Sequence, residues 1–405
     1  MTDPTPDDRP PVTWAAEAAG VAGTAGVAGA AEAAGAAATA RAAVSVVVAG
    51  GLAADRELLA ELAGREFAAL GVAGRLVEPP DAASFATALD AAAEPGHAVV
   101  ALPGADPEVR ALMESPRPYR ERLVWLDLAR TGPHPAGGAL HLYGRGVNGL
   151  TWAVRAAAHR ATCRPRRVTY GPHPDQYAEL LLPDARPAPV AMLLHGGFYR
   201  TRWAADLMDA LAADLAARGF AAWNVEYRRP DRHGWDATVS DVAAAYAALR
   251  TLGSDVDQDR VAVIGHSAGG QLALRLAADL WAAGRGPALA VSLAGLVDLV
   301  ECDRRDLSGG ATALALGGGC AEIPEVYAAS SPLARLPLGG PQLVVQGAGD
   351  DPDLVDFNRR YVRAATGDPV TYLEAPGDHF SVIDPAAPIW AETAARVEEA
   401  LRPVG

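Results

Sequence analysis

The hydrophobic pattern in the first part of the chain alternates between short apolar runs and longer stretches with helical spacing. Runs of strand length occupy 45–48, 97–102, 122–126 and 139–142, and apolar residues recur at helical intervals over 55–70, 82–93 and 150–159. Strands that alternate with helices form a parallel sheet covered on both faces. The pattern therefore predicts an α/β domain over residues 44–160.

A second series of apolar runs follows the basic segment 160–167. Strands are predicted at 177–182, 190–194, 221–227, 260–264, 289–294, 342–346 and 370–374, and helices at 204–218, 240–252, 269–284, 354–366 and 388–402. This order again predicts a mostly parallel sheet, and hence a second α/β domain over residues 166–405. The Ala- and Gly-rich segment 1–43 has no such pattern, and we expect it to be disordered.

Composition narrows the possible functions. All 35 basic residues are arginine, so neither a lysine Schiff base nor a lysine-containing phosphate loop is possible. The net charge of −14 disfavours nucleic acid and anionic membranes as partners. Residues 15–40 contain no Leu, Ile or Phe, which argues against a membrane helix. Three unpatterned cysteines indicate neither a disulfide framework nor a zinc site, so we expect a cytoplasmic location.

The most informative motif lies at 265–269, where Gly-His-Ser-Ala-Gly follows the strand 260–264 and precedes a helix. A Gly-x-Ser-x-Gly turn between a strand and a helix exposes the serine hydroxyl above the edge of the sheet. The helix that follows directs its positive N-terminal end at the site, which favours developing negative charge. The motif predicts that Ser267 is a nucleophile.

A serine nucleophile needs a base that takes its proton and an acid that orients the base. After a Gly-x-Ser-x-Gly turn of this kind, the acid, Asp, comes next in the chain and the base, His, comes last. His379 is the only histidine after position 266, and it follows the strand 370–374. Asp350 follows the strand 342–346 and is the favoured acid, with Asp351 as a rival and Asp353 as a weaker one. These residues predict a Ser-Asp-His triad in which the acid holds the tautomer of the base.

An oxyanion site is predicted where the strand 190–194 leads into His-Gly-Gly-Phe. Glycine lets the backbone approach a substrate closely, so the N–H groups of Gly197 and Phe198 are the expected donors, together with that of Ala268 after the nucleophile. Tyr199 and Trp203, just beyond this loop, are predicted to contact the substrate, although ordinary packing is an equal alternative. This chemistry requires no metal or cofactor.

The chain resembles the α/β-hydrolase superfamily over about 166–405. The resemblance lies in the Ser267 turn, the His-Gly-Gly-Phe loop, Asn-Val-Glu-Tyr-Arg at 224–228 and His-Phe-Ser-Val-Ile-Asp at 379–384. Within it the chain resembles esterases of the kynurenine formamidase type and the related carboxylesterases. The resemblance implies a serine hydrolase that cleaves small carboxylic esters or aryl formamides. Tyr199 stands where the formamidase group has Trp.

The first domain ends in Gly-Arg-Gly-Val-Asn-Gly at 144–149, and this turn and the order of elements resemble type II 3-dehydroquinate dehydratase, a flavodoxin-like fold. No tyrosine precedes position 119, and 103–106 reads Pro-Gly-Ala-Asp where that family has its catalytic histidine. We therefore expect a non-catalytic domain over 44–160, which could mediate homo-oligomerisation as in that family. A bifunctional dehydratase–hydrolase fusion and a non-catalytic scaffold are the alternative functions.

Overall fold

A computed structural model describes residues 42–129 and 139–402, which contain two β-sheets. The segment predicted to be disordered lies outside these residues except for its last two positions, of which Ala43 begins the first strand. From Arg41 onward the chain is one compact unit.

The first sheet has five parallel strands in the order β2-β1-β3-β4-β5, which is the flavodoxin-like arrangement. Its elements are β1 (Ala43–Val48), α1 (Arg56–Leu70), β2 (Ala73–Val77), α2 (Ala82–Leu89), β3 (His97–Leu102), α3 (Pro107–Glu114), β4 (Leu123–Asp127), β5 (Leu140–Tyr143) and α4 (Gly149–Thr162). The sequence pattern omitted β2, because this edge strand is largely exposed and has only two large apolar residues.

The second sheet has eight strands in the order β13-β12-β11-β10-β8-β9-β7-β6. These are β6 (Arg166–Thr169), β7 (Tyr177–Leu181), β8 (Ala188–Leu194), β9 (Ala221–Glu226), β10 (Val256–His266), β11 (Leu289–Leu293), β12 (Gln342–Gly347) and β13 (Val370–Ala375). All neighbours pair in parallel except β7, which is antiparallel to both β6 and β9. The fold class is therefore confirmed as an N-terminal parallel sheet followed by an α/β-hydrolase fold.

Helices cover both faces of the second sheet. They are α5 (Asp209–Ala217), α6 (Pro230–His233), α7 (Trp235–Ala248), α8 (Ala268–Ala282), α9 (Leu299–Arg304), α10 (Ala311–Leu316), α11 (Pro324–Ser330), α12 (Pro352–Ala364) and α13 (Pro388–Ala400). Along β10, Val261 and Val263 pack into one core while Ala262 and Ile264 pack into the other, as the period of two in a strand requires. The sequence pattern missed α9 to α11, because six or seven residues are too few to show a helical period.

Buried ion pairs join the helix α4 region to β7 and to the segment before α5. Arg145, in the turn before α4, makes a bidentate pair with Asp206 at 2.6 and 2.8 Å. Arg160 in α4 pairs with Glu179 of β7 at 2.9 and 3.0 Å. The basic segment proposed as a boundary thus includes a buried residue, Arg160, and the start of a strand, β6, that the pattern did not predict. No helix within residues 42–129 and 139–402 is both long and apolar enough to cross a bilayer.

Candidate active site

Ser267 occupies a sharp turn between β10 and α8. Its backbone has φ 55° and ψ −120°, a conformation that is strained for a residue with a side chain. The flanking glycines make the turn possible: a Cβ on Gly265 would lie 1.9 Å from the Gly269 carbonyl oxygen, and one on Gly269 would lie 2.1 Å from the Leu194 carbonyl oxygen. The 15-residue helix α8 begins at the next residue, so its positive end faces the turn.

His379 and Asp350 come together at the ends of neighbouring strands. The Nδ1 atom of His379 lies 2.9 Å from Oδ2 of Asp350, whose side chain is 2% exposed. The same oxygen accepts a hydrogen bond from Nε2 of Gln346 at 3.0 Å. The Asp351 carboxylate instead caps helix α12 by accepting from the amide of Asp353 at 2.9 Å. Of the three candidate acids, the structure brings Asp350 to the histidine.

Polar contacts on two sides fix the loop that carries His379. Partial burial opposes ionisation of Asp378, but hydrogen bonds from Ser381 and from the amide of Phe380 lower its pKa overall. On the other side, Nε2 of His266 lies 2.9 Å from the His379 carbonyl oxygen. Burial, followed by the nearby His379 ring, holds the pKa of His266 well below its usual value. Because a carbonyl oxygen only accepts, Nε2 of His266 is the donor in this hydrogen bond. His266 therefore joins the Ser267 turn to the histidine loop.

Within the described residues no hydrogen bond links the Ser267 hydroxyl to His379. The two segments meet through the His266 ring, whose centroid is 4.7 Å from that of His379. Hydrogen bonds between a nucleophile and its base are often long in a free enzyme and tighten when substrate binds. The arrangement therefore places His379, the candidate base, beside the serine turn without a formed hydrogen bond between them.

The glycine loop after β8 lies directly against Ser267. A Cβ on Gly196 would come within 2.8 Å of the Ser267 Cβ, so only glycine allows this approach. The next three residues all have positive φ: 115° at Gly197, 47° at Phe198 and 61° at Tyr199. Turns can present successive backbone N–H groups as an anion-binding concavity, which is the role predicted for this loop. Ala268 opens α8, where the first amides have no partner within the helix.

The two residues predicted to bind substrate have different surroundings. Tyr199 is 2% exposed, its hydroxyl donates to Oε1 of Gln271 at 2.9 Å, and its ring packs edge-on against Trp235. These contacts favour the alternative of ordinary packing for Tyr199. Trp203 is only partly buried, and a Cβ on Gly197 would lie 2.3 Å from its Cβ. Trp203 therefore lies beside the glycine loop with part of its surface exposed.

Sequence reasoning missed the residues that position the triad candidates and those contributed by the first sheet. Gln346 and His266 contact Asp350 and the His379 loop as described above. His266 is part of the serine motif and Gln346 ends the strand predicted at 342–346, so both positions could have drawn attention. His195, which the triad order disfavours as a base, is buried and stacks on Tyr227. Nothing in the motif pattern indicates the aromatic side chain of Trp152 that reaches this region from α4.

One group of side chains in the described residues could hold a cation. Ligand atoms of His173, Asp175 and His233 lie within 4.8 Å of one another. The group lines a cavity of about 590 Å³ whose lining includes neither Ser267 nor His379. Arg229 lies 3.3 Å from the Asp175 carboxylate and competes for it. We therefore treat these residues as separate from the serine site.

The serine turn, the Asp–His pair and the glycine loop, arranged along the ends of parallel strands, are the features of an α/β hydrolase. A family model for the alpha/beta hydrolase fold matches residues 191–383. LipR, a candidate acetyl-hydrolase of Mycobacterium tuberculosis, is 30% identical over 253 residues, which are 59% of this chain and 79% of LipR. The chain belongs to the α/β-hydrolase family.

Two other similar proteins are esterases by name. Esterase LipC of Mycobacterium tuberculosis is 29% identical over 256 residues, covering 57% of this chain and 63% of LipC. The structure of a bacterial heroin esterase is 25% identical and superposes with a TM-score of 0.50, covering 59% of this chain and 85% of its own. The protein is thus an esterase-type hydrolase.

Proposed function

We propose that the protein is a serine esterase whose nucleophile is Ser267, whose base is His379 and whose acid is Asp350. The observation that carries the proposal is the strained Ser267 turn set between Gly196 on one side and the His379–Asp350 pair on the other. Three parts needed for acyl transfer, which come from distant parts of the sequence, converge on one edge of the sheet.

In the proposed reaction, His379 takes the proton of the Ser267 hydroxyl as its oxygen attacks the ester carbonyl. The negative charge that develops on the carbonyl oxygen is stabilised by the N–H groups of Gly197, Phe198 and Ala268. His379 then gives the proton to the departing alcohol, and water attacks the acyl-enzyme with His379 again as base. Asp350 stabilises the imidazolium and holds Nδ1 protonated, and Gln346 holds Asp350.

Small carboxylic esters are the substrates that we propose first. Two findings support this: the similar proteins are named as an acetyl-hydrolase and as esterases, and the family model for the alpha/beta hydrolase fold spans residues 191–383. Aryl formamides are a second substrate class, which rests on the likeness to kynurenine formamidase and on the aromatic side chains around the glycine loop. No tyrosine precedes position 119 and 103–106 reads Pro-Gly-Ala-Asp where type II dehydroquinate dehydratases have their catalytic histidine, so we propose no lyase activity for the first domain.

The test is hydrolysis of p-nitrophenyl esters of graded acyl length, and of N-formylkynurenine, by the wild type and by Ser267→Ala. We expect short-chain esters to be cleaved and Ser267→Ala to lose activity by several powers of ten, along with labelling by a fluorophosphonate probe. Ser254→Ala is the matched control, because Ser254 is exposed and outside the site. Near wild-type turnover by Ser267→Ala would contradict the proposal.

A further inference from the structure

Trp152, in the second turn of α4, reaches from the first sheet to both active-site loops. Its ring centroid lies 6.1 Å from that of Trp203, with the rings edge to face, and 5.2 Å from that of Phe380. The three side chains are far apart in sequence and belong to three different elements of the fold. We call them the aromatic rim.

Both ends of the aromatic rim lie against groups of the proposed site. Trp203 contacts Gly197 in the loop that would hold the oxyanion. Phe380 follows His379 directly, and its ring packs edge-on to the imidazole with centroids 5.4 Å apart. Phe380 is also 40% exposed, which is unusual for a large apolar residue in a described part of the chain that buries most of them. The rim therefore lies beside both the glycine loop and His379, and Phe380 keeps apolar surface exposed there.

Arginine side chains hold the two tryptophans of the rim in place. The Arg145 guanidinium lies 4.6 Å from the Trp203 ring centroid and is itself fixed by Asp206. The Arg155 guanidinium lies 5.2 Å from the Trp152 ring centroid and pairs with Glu66 at 2.7 Å. A ring held in this way loses little side-chain freedom when a ligand binds, which favours recognition of another flat apolar group.

We propose that the aromatic rim is a subsite for an aromatic ring in the alcohol part of the ester, and that Trp152 makes the first sheet part of the substrate-binding site. This inference rests on the proposed esterase function. His379 must deliver its proton to the oxygen of the departing alcohol, so a group attached to that oxygen extends toward Phe380. Aromatic rings prefer offset or edge-to-face contact with one another, and Trp152 already makes an edge-to-face contact with Trp203.

The test compares kcat/KM for 2-phenylethyl acetate with that for propyl acetate, two esters that share the acetyl group and have simple alkoxide leaving groups. In Trp152→Ala the ratio of the two should fall about 3- to 10-fold, the effect of losing an aromatic contact. Trp152→Phe is the matched control and should retain most of the ratio, because it keeps a ring at the same place. Circular dichroism checks that each variant is folded.

Phe380→Leu is a second test of the proposed subsite. Because Phe380 is partly exposed, its replacement should not prevent folding. It should also lower the ratio. An unchanged ratio in both Trp152→Ala and Phe380→Leu would overturn the inference, as would a loss confined to propyl benzoate, whose ring is on the acyl side. Ester turnover that is absent from the wild type, or that survives Ser267→Ala, would instead overturn the proposed function itself.

Discussion

Replacing Arg145 by methionine should destabilise the protein strongly, because it leaves a buried carboxylate without its partner. Arg145 and Asp206 have side chains that are 2% and 0% exposed. The guanidinium makes two hydrogen bonds to Asp206, at 2.6 and 2.8 Å, and a third from Nε to the Arg202 carbonyl oxygen at 2.7 Å. Breaking a buried pair by removing one member costs about 3–5 kcal/mol.

The free energy needed to protonate a carboxylate sets an upper limit on this destabilisation. An ordinary aspartate, with a pKa of about 3.9, takes up a proton at a cost of about 4 kcal/mol at pH 7 and about 1.5 kcal/mol at pH 5. A carboxylate that has lost its cation can become neutral by taking up a proton. The loss of unfolding free energy in Arg145→Met should therefore be smaller at pH 5 than at pH 7. The sign follows because the variant's buried group binds its proton more tightly than the unfolded chain does.

Urea unfolding followed by far-ultraviolet circular dichroism at pH 7 and pH 5 measures these differences. The control is the double variant Arg145→Met/Asp206→Leu, in which both charges are replaced by apolar groups and most of the stability should return. A free energy of unfolding for Arg145→Met within about 1 kcal/mol of wild type at pH 7 would refute the reasoning. It would mean that the carboxylate finds water or another partner once the arginine is gone.

Two further outcomes are expected. Asp350→Asn should lower kcat for ester hydrolysis by about 10³–10⁴-fold, because the wrong His379 tautomer is then favoured, whereas Asp351→Asn should cost far less; equal losses in steady-state assays would contradict this. Burial, together with the Arg229 cation, lowers the pKa of His195 to about 3 from 6.5. The unfolded chain therefore binds one more proton there between pH 5.5 and 4, and stability is lost as the pH falls. His195→Gln should make the slope of unfolding free energy against pH shallower by about 1.4 kcal/mol per pH unit, and an unchanged slope in urea unfolding would show that His195 is already protonated in the native state.

The sequence alone determined the features that depend on neighbouring residues. The strand–turn–helix around Ser267 and the glycine run after β8 are local, since the steric need for glycine arises within a few residues. Strand and helix periodicity gave the α/β class for the same reason, because burial on a sheet face repeats every second residue. Where that periodic signal is short or exposed, as in β2 and β6, the prediction failed.

The tertiary structure decided which of several equivalent residues meet. Asp350 and Asp351 are adjacent and chemically identical, and only the end of β12 and the start of α12 direct one to His379 and the other to a helix cap. Trp152 is 51 positions from Trp203 and 228 from Phe380, so no local sequence pattern can predict their contact. Their meeting depends on how α4 packs against the second sheet through buried ion pairs. Such contacts are set by the summed packing of distant segments, which a single sequence does not display.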